Sequence, residues 1–192
     1  MEYVTGGSCH GLLKSRPNRR ITEPEGRKII RQVISALQYC HSKCVAHRDI
    51  KLENVLLDQR GNVKLIDFGF STCIPNDKKV KLFCGTPSYM APEIVSKTEF
   101  CGPPTDIWAT GVLLYTFFNG CFPFRGANDK ELYAKICSGD FLVPEHVPKG
   151  AGELLRKMIR VKAEDRPTSA EIYCEPWIQG TQSSQESSVG SL

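Results

Sequence analysis

The sequence predicts a mainly α-helical domain that contains one small β-hairpin. The hairpin is indicated by two apolar runs of strand length, residues 55–57 and 63–66, separated by the turn-forming residues 58–62. The helices are indicated by apolar residues that recur at helical spacing behind residues 22–25 (TEPE), which have the pattern of a capping box. With 192 residues, the chain is long enough to bury one core.

Helices are predicted along most of the chain. A short helix covers residues 8–15, and a long buried helix follows the capping box. The apolar positions of the long helix are Ile29, Ile30, Val33, Ile34, Ala36, Leu37 and Cys40. Further amphipathic helices are predicted at residues 128–138, 152–159 and 169–173. Trp177 is expected to close the domain.

Polar side chains surround the open end of the hairpin. An antiparallel hairpin brings its two ends together, so Asn54 and Asp67 are expected to lie side by side. Two oxygen ligands there, with Asp49 just upstream, suit Mg²⁺, which binds one or two carboxylates together with phosphate oxygens. Lys51 carries a mobile positive charge of the kind that balances a phosphate. The pattern therefore predicts a magnesium and phosphate site.

Five motifs follow one another along the chain. They are HRDIKLEN at residues 47–54, DFG at 67–69, GTPSYMAPE at 85–93, DIWATGV at 106–112 and DRP at 165–167. Together they resemble the signature of the protein kinase family, and a lysine at position 51 is typical of its serine/threonine members. The resemblance covers residues 1–178 and implies the large C-terminal lobe of a kinase. Residues 179–192 lack apolar periodicity and are predicted to form a disordered tail.

The resemblance implies a role for each polar residue of the predicted site. Asp49 is expected to be the catalytic base, and Lys51 is expected to steady the transferred phosphate. Asn54 and Asp67 are expected to hold Mg²⁺, and ATP is the implied cosubstrate. The expected reaction transfers the γ-phosphate of ATP to a serine or threonine hydroxyl of a protein.

The beginning of the chain resembles the hinge between the two lobes of a kinase. The resemblance implies that Glu2 and Val4 contact adenine through their backbone and that Leu56 contributes to the same nucleotide site. The sequence contains neither a G-x-G-x-x-G loop nor a V-A-I-K lysine, both parts of the phosphoryl-transfer machinery. We therefore expect the small N-terminal lobe to be absent and the chain to be a truncated or fragmentary catalytic domain.

Two other functions compete with this expectation. One is a catalytically inactive, kinase-like module that binds or scaffolds partners, in which case the four polar site residues would have no chemical role. The other is a metal-dependent hydrolase built on His10, His41, His47 and the aspartates, but no metal-ligand spacing supports it.

The resemblance also implies structural contacts in the large lobe. Glu93 and Arg166 are expected to form a buried ion pair, and Asp106 is expected to accept N–H groups of the catalytic loop. The ring of His47 is expected to lie against Phe68.

The activation loop departs from the family pattern. Leu82 occupies the position where related kinases carry a phosphorylated threonine. Lys78, Lys79 and Lys81 make the loop basic, so an acidic activating partner could take the place of that phosphate. Residues 126–131 (GANDKE) resemble calcium/calmodulin-dependent and AMP-activated-type kinases.

Composition argues against several classes of partner and location. The formal net charge of +4 is small and scattered, which does not favour nucleic acid binding. No run of eighteen apolar residues is present, so no membrane span is predicted. Nine cysteines without a C-x-x-C pair are expected to be reduced thiols, which predicts a cytoplasmic protein.

Overall fold

A computed structural model describes residues 4–73, 85–99 and 102–181. The α-helices in these ranges are α1 (Cys9–Ser15), α2 (Glu23–Ser42), α3 (Pro92–Val95), α4 (Gly102–Asn119), α5 (Asp129–Ser138), α6 (Lys149–Met158), α7 (Ser169–Tyr173) and α8 (Pro176–Gln179). The strands are β1 (Val45–Ala46), β2 (Val55–Leu57), β3 (Val63–Leu65) and β4 (Thr72–Cys73). The mainly helical architecture and the hairpin agree with the prediction.

Helices α2 and α4 form the centre of the core. Nearly every residue of α4 is buried, as expected for a helix that is apolar all round and covered on all sides. Helix α2 is amphipathic and buries one face against α4, α7 and α8. The buried apolar residues of that face are Ile29, Ile30, Val33, Ile34 and Leu37. Ala36 and Cys40, predicted on the same face, are only half-buried.

The predicted capping box at the start of α2 is wrong. Thr22 is the N-cap residue, but its side chain makes no capping hydrogen bond. Glu25 instead accepts a hydrogen bond from Arg16 at 2.8 Å, which draws its carboxylate away from the helix end. A capping box does form at the start of α7, where Thr168 and Glu171 bond to each other's backbone N–H groups.

The other helix predictions differ little from the structure. Helix α1 follows Ser8, whose hydroxyl accepts the N–H of Gly11 at 3.2 Å, and α7 has the predicted bounds. Helix α6 starts three residues earlier than predicted, directly after Pro148. Trp177 is buried and donates its indole N–H to Glu23 at 2.9 Å, which joins α8 to α2.

The hairpin of β2 and β3 is tied to α2. Val55 pairs with Leu65, and the Asp58 carboxylate accepts the N–H groups of Arg60 and Asn62 in the turn. These hydrogen bonds lower the pKa of Asp58. Gln32 of α2 accepts the N–H of Val63 at 3.0 Å and so fixes the position of the hairpin.

A second strand pair was not predicted from the sequence. Strand β1 lies just before the catalytic-loop motif and pairs antiparallel with β4, in the register Val45 to Cys73 and Ala46 to Thr72. Two-residue strands are too short to show a period-two pattern. The pairing holds the segment after the DFG motif against the start of the catalytic loop.

The predicted ion pair between Glu93 and Arg166 is confirmed. Two parallel hydrogen bonds of 2.7 Å join the guanidinium to the carboxylate. The remaining Arg166 donors bond to the carbonyl oxygens of Arg160, Pro104 and Val161. The guanidinium carbon also lies 5.1 Å from the centre of the Trp108 ring. All five N–H donors of this buried arginine are therefore satisfied.

No helix in residues 4–73, 85–99 and 102–181 combines the length and the apolar character that a membrane span requires.

Replacing Glu93 by glutamine is expected to destabilise the fold by about 3–5 kcal/mol, because a buried guanidinium loses its counter-charge. Urea denaturation of the two proteins measures this difference. Lys157→Gln is the matched control, since the Lys157–Glu175 pair is more exposed and such pairs contribute at most about 1 kcal/mol. Equal losses in the two variants would contradict a special role for the buried pair.

Candidate active site

Asp106, at the start of α4, holds the backbone of the catalytic loop. Its carboxylate accepts the N–H of His47 at 2.9 Å and the N–H of Arg48 at 2.8 Å. This confirms the role predicted for Asp106. Arg48 has a positive φ of 67°, a conformation that costs a non-glycine residue on the order of 1–3 kcal/mol. Hydrogen bonds to a charged group contribute about 1.5–3 kcal/mol each, so the two bonds offset that cost.

His41 and Ser169 complete this network. His41 of α2 contacts Asp106 through Nε2 at 2.9 Å and Ser169 through Nδ1 at 3.2 Å. Because the carboxylate only accepts, Nε2 carries the proton, and in the neutral ring Nδ1 accepts from the Ser169 hydroxyl. Local sequence patterns do not reveal this role of His41, because its two partners lie 65 and 128 residues away along the chain.

Asp49 is buried and its two carboxylate oxygens have different surroundings. Oδ2 accepts from Lys51 Nζ at 2.7 Å and from the side-chain amide of Asn54 at 2.9 Å. Oδ1 accepts only from Thr86 Oγ1, at a long 3.4 Å, within the described residues. Lys51 Nζ also reaches Thr86 Oγ1 at 3.3 Å. Asp49, Lys51 and Thr86 therefore form one polar cluster, with Oδ1 as its least engaged acceptor.

Asn54 and Asp67 meet at the open end of the hairpin. The N–H of Ile66 donates to the Asn54 carbonyl oxygen at 3.0 Å, which puts the residue before Asp67 beside Asn54. Asn54 is buried and uses its amide nitrogen on Asp49, so its side-chain oxygen is left for another ligand. Asp67 is exposed, with φ 61°, and among the described residues its carboxylate accepts only the N–H of Gly69, at 3.2 Å.

This donor set fits Mg²⁺ bound together with phosphates. One amide oxygen and one exposed carboxylate supply too few ligands to enclose the ion, and phosphate oxygens and water would complete its octahedral shell. No group of three or more His, Cys, Asp or Glu side chains in residues 4–73, 85–99 and 102–181 could hold a metal alone. The metal-ligand role of Asn54 and Asp67 stays a prediction.

The packing of His47 against Phe68 is confirmed. The two ring centroids are 4.6 Å apart with an interplanar angle of 54°. His47 Nε2 also lies 3.0 Å from the carbonyl oxygen of Ile66, so the ring bridges the catalytic loop and the DFG motif. Phe68 is nevertheless 44% exposed on its other side.

The start of the described chain runs beside the hairpin. Leu57 donates its N–H to the carbonyl oxygen of Gly7 at 2.8 Å, and Ser8 forms a β-bridge with Leu56. A Cβ atom on Gly6 would lie 2.3 Å from the Leu57 carbonyl oxygen, so only glycine fits this approach. The structure thus brings the residues that follow Val4 next to Leu56. Glu2 lies outside the described residues, and the adenine-binding role of all three stays a prediction.

The predictions for the activation loop concern residues 71–82, of which the structure describes 71–73. Leu82 and the three lysines at positions 78, 79 and 81 lie outside the described residues. Thr86, just beyond them, was quoted only as part of a motif, although it contacts both Asp49 and Lys51. Its place inside GTPSYMAPE was the only signal in the sequence.

Tyr89 supports the catalytic loop from below. Its hydroxyl oxygen accepts the N–H of Leu52 at 3.2 Å. Burial is the main cause that raises the pKa of the Tyr89 phenol, so the group stays neutral. The motif did not reveal this contact, because only the folded chain places Tyr89 under Leu52.

Burial raises the pKa of two thiols near the site. The pKa of Cys9 rises to about 12, and burial is also the main cause that raises the pKa of Cys40. None of the seven cysteines of the described residues forms a disulfide. Cys40 and Cys44 are not part of a metal-binding group within those residues.

Comparison with known proteins identifies the family. The sequence description of the protein kinase domain matches residues 1–178. The chain belongs to the protein kinase family. It is 41% identical over 182 residues to CBL-interacting serine/threonine-protein kinase 1 of Arabidopsis thaliana, and 43% identical over 178 residues to NUAK family SNF1-like kinase 1 of Mus musculus. It is also 41% identical over 177 residues to the probable serine/threonine-protein kinase MARK-C of Dictyostelium discoideum.

The similarity covers most of this chain but a minority of each relative. The three alignments include 93%, 93% and 92% of this kinase chain. They span 40%, 27% and 23% of the relatives' own lengths, respectively. The chain therefore shares the kinase family with these relatives but spans less than half the length of each.

Replacing Asp106 by asparagine is expected to loosen the catalytic loop, because the two loop N–H groups lose a charged acceptor. At about 1.5–3 kcal/mol per bond, hydrogen exchange of the His47 and Arg48 amides should accelerate by roughly 10- to 100-fold. Hydrogen exchange followed by NMR measures both sites.

Asp58→Asn is the control for this experiment, since Asp58 also accepts two backbone N–H groups but does so in the exposed hairpin turn. It should leave exchange at His47 and Arg48 unchanged. Unaltered exchange in Asp106→Asn would show that the loop holds its shape without the carboxylate.

Proposed function

We propose that this chain acts in a serine/threonine protein kinase, which transfers the γ-phosphate of ATP to a hydroxyl of a protein substrate. The observation that carries the proposal is the buried Asp49 carboxylate, held by Lys51 and Asn54 through one oxygen while the other stays almost free. A binding module would have no need for such an arrangement. The serine/threonine preference is supported by Lys51 and by the names of the similar proteins.

Asp49 Oδ1 is the group that would accept the proton of the substrate hydroxyl. Oδ2 is already occupied by the Lys51 ammonium and the Asn54 amide, whereas Oδ1 has one long contact to Thr86. The same contacts fix the orientation of the carboxylate. Positioning of the nucleophile supplies much of the acceleration in phosphoryl transfer, so a fixed acceptor is the feature the reaction needs.

Lys51 would serve the transferred phosphate as well as Asp49. Its ammonium has three donors, of which one reaches Asp49 and one reaches Thr86. The third donor remains for a phosphate oxygen. Mg²⁺, held by the Asn54 oxygen and the Asp67 carboxylate, would neutralise charge on the phosphates of ATP. Val4 and Leu56, with Glu2, would lie against the adenine.

Transfer would also require groups that the 192 residues do not contain. The sequence has no glycine-rich loop to cover the phosphates and no V-A-I-K lysine to grip them. We infer that a small lobe must supply both. Two exposed aromatic side chains support a contact with such a lobe. Tyr39 is 68% exposed and Phe68 is 44% exposed. They line a largely apolar groove of about 440 Å³.

We further propose a subgroup, a cellular location and an activating partner for this kinase. The AMP-activated-type subgroup is supported by the similarity to NUAK family SNF1-like kinase 1. A cytoplasmic location is supported by the seven cysteines of the described residues, none of which forms a disulfide. An acidic partner at the basic activation loop is supported by Lys78, Lys79 and Lys81 in the sequence.

The chain alone is expected to transfer no phosphate above background, because nucleotide would bind weakly and in several poses. Fusing the small lobe of a close relative ahead of Met1 is expected to restore transfer to a peptide substrate, measured with radiolabelled ATP. Asp49→Asn in the fusion should abolish the gain, since an amide cannot accept the proton.

Asp58→Asn serves as the control in the fusion, because it changes an acid outside the site. Two results would overturn the proposal. The first is transfer that survives Asp49→Asn. The second is a fusion that binds nucleotide and Mg²⁺ normally yet transfers nothing, which is the behaviour of a scaffold.

Removal of the Asp67 carboxylate is expected to weaken binding of ADP in the presence of Mg²⁺ by at least about tenfold, or about 1.4 kcal/mol. Binding of ADP without Mg²⁺ should change little. Calorimetry on the fusion and on its Asp67→Ala variant measures both quantities. The exposed Asp140, replaced by alanine, is the control. Equal Mg²⁺-dependent affinities in the two proteins would remove Asp67 from the metal site.

A further inference from the structure

A basic groove lies away from the candidate active site. It runs between the first half of α2, the turn that joins β2 to β3, and the end of α8, and its volume is about 520 Å³. Arg27, Lys28 and Arg31 of α2 contribute its positive charge. None of the residues that line it is an aspartate or a glutamate, and none belongs to the site around Asp49.

Nearby acids in the described residues are committed to other partners. Glu23 binds both Arg27 and the indole N–H of Trp177. Glu171 caps α7 through Thr168, which also lowers the pKa of the Glu171 carboxyl. Glu175 pairs with Lys157 at 2.7 Å. Asp58 and Glu25 bond to Asn62 and Arg16, respectively. Within residues 4–73, 85–99 and 102–181, no acid therefore pairs with Lys28 or Arg31.

Both arginines lie against aromatic rings, and Arg27 also forms an ion pair with Glu23 through Nη2. The guanidinium carbon of Arg27 lies 5.4 Å from the centre of the Trp177 ring, and that of Arg31 lies 5.6 Å from the centre of the Tyr173 ring. Stacking fixes the plane of a guanidinium and leaves its N–H edge available. Residues four apart on a helix lie on one face, so both edges are presented together.

Much of the donor capacity of the groove is unused. Arg27 Nε is buried and has no hydrogen-bond partner, and Arg31 forms no hydrogen bond or ion pair within the described residues. Lys28 Nζ makes one long bond, 3.3 Å, to the carbonyl oxygen of Arg60. The exposed donors of Arg31 and Lys28 are therefore available to an anion in the groove.

We propose that this groove binds a short extended peptide segment that carries a phosphoserine. A phosphate monoester has about −1.5 to −2 charges and three acceptor oxygens, which suits the guanidinium of Arg31 and the ammonium of Lys28, with the charge of Arg27 beside them. The stretch of α2 from Arg27 to Ser35 is about 12 Å long at 1.5 Å per residue, the length of roughly four extended residues. Neutral hydrogen-bonding groups of Ser35, Asn62 and Gln179 line the groove and can bind the peptide backbone.

Fluorescence anisotropy with the full chain tests this proposal. The probe is a labelled octapeptide of alanine and glycine with one central phosphoserine, and its serine and glutamate counterparts are the reference probes. We expect the phosphopeptide to bind at least about tenfold tighter than either reference. No nucleotide is added, so the result is independent of phosphoryl transfer and of the proposed kinase activity.

Three variants locate the binding in the groove. Arg31→Gln should weaken phosphopeptide binding by about tenfold, and Arg31→Lys should also weaken it, because lysine keeps the charge but loses the bidentate geometry. Arg125→Gln, an identical change at an exposed arginine outside the groove, should have no effect. Arg31 is exposed, so these substitutions are not expected to disturb folding, and circular dichroism checks that they do not.

Each other result would overturn the proposal. Equal affinity for the phosphoserine, glutamate and serine peptides would mean that the groove binds peptides without recognising the phosphate group. Unchanged binding in Arg31→Gln would place the site elsewhere. Complete displacement of the peptide by an equal concentration of inorganic phosphate would show that the site takes the free ion and makes no use of the peptide.

Discussion

The geometry of the candidate site depends on one carboxylate, that of Asp106. It accepts the N–H groups of His47 and Arg48 and so holds the loop in a conformation that Arg48 would not adopt readily. The next residue in the chain is Asp49, whose orientation follows from the turn so formed. The buried residues of α4 fix the position of Asp106, which also bonds to His41. The packing of the core therefore determines where the proposed base lies.

The site behaves as one polar network rather than as a set of separate residues. Asp49 contacts Lys51 and Asn54 of its own loop and Thr86 of the segment after the activation loop. A change in any one of them alters the hydrogen bonds of the others, since groups that share partners do not act additively. Thr86 joins the segment after the activation loop to the catalytic loop. A shift of that segment would therefore change the hydrogen bond that Asp49 Oδ1 accepts.

Local patterns in the sequence predicted local structure well. The hairpin, the helix bounds of α1 and α7, and the ion pair between Glu93 and Arg166 follow from periodicity, turn residues or motif resemblance, and all are present. Contacts decided by tertiary structure were missed. His41 meets Asp106 and Ser169 only because α2, α4 and α7 come together in the folded chain.

The capping box predicted at α2 is absent because a contact with another segment overrides the local pattern. Residues 22–25 have the right sequence, yet Arg16 takes the Glu25 carboxylate that the box would need. A local rule gives way when a charged partner from another segment offers a stronger, charge-assisted bond. The pairing of β1 with β4 had no detectable signal at all, because two residues cannot show a period.

The strength of the hydrogen bonds, rather than their number, separates the two buried carboxylates at the catalytic loop. Asp106 accepts three bonds of 2.8–2.9 Å, two of them from the backbone of the loop, and its contribution is to the fold. Asp49 also accepts three, but among the described residues its Oδ1 has only the 3.4 Å contact to Thr86. A weakly bonded carboxylate oxygen can exchange that contact for a substrate hydroxyl at little cost, whereas the bonds of Asp106 cannot be given up without loosening the loop. The weak contact of Oδ1 is therefore the feature that suits Asp49, and not Asp106, to the role of the base.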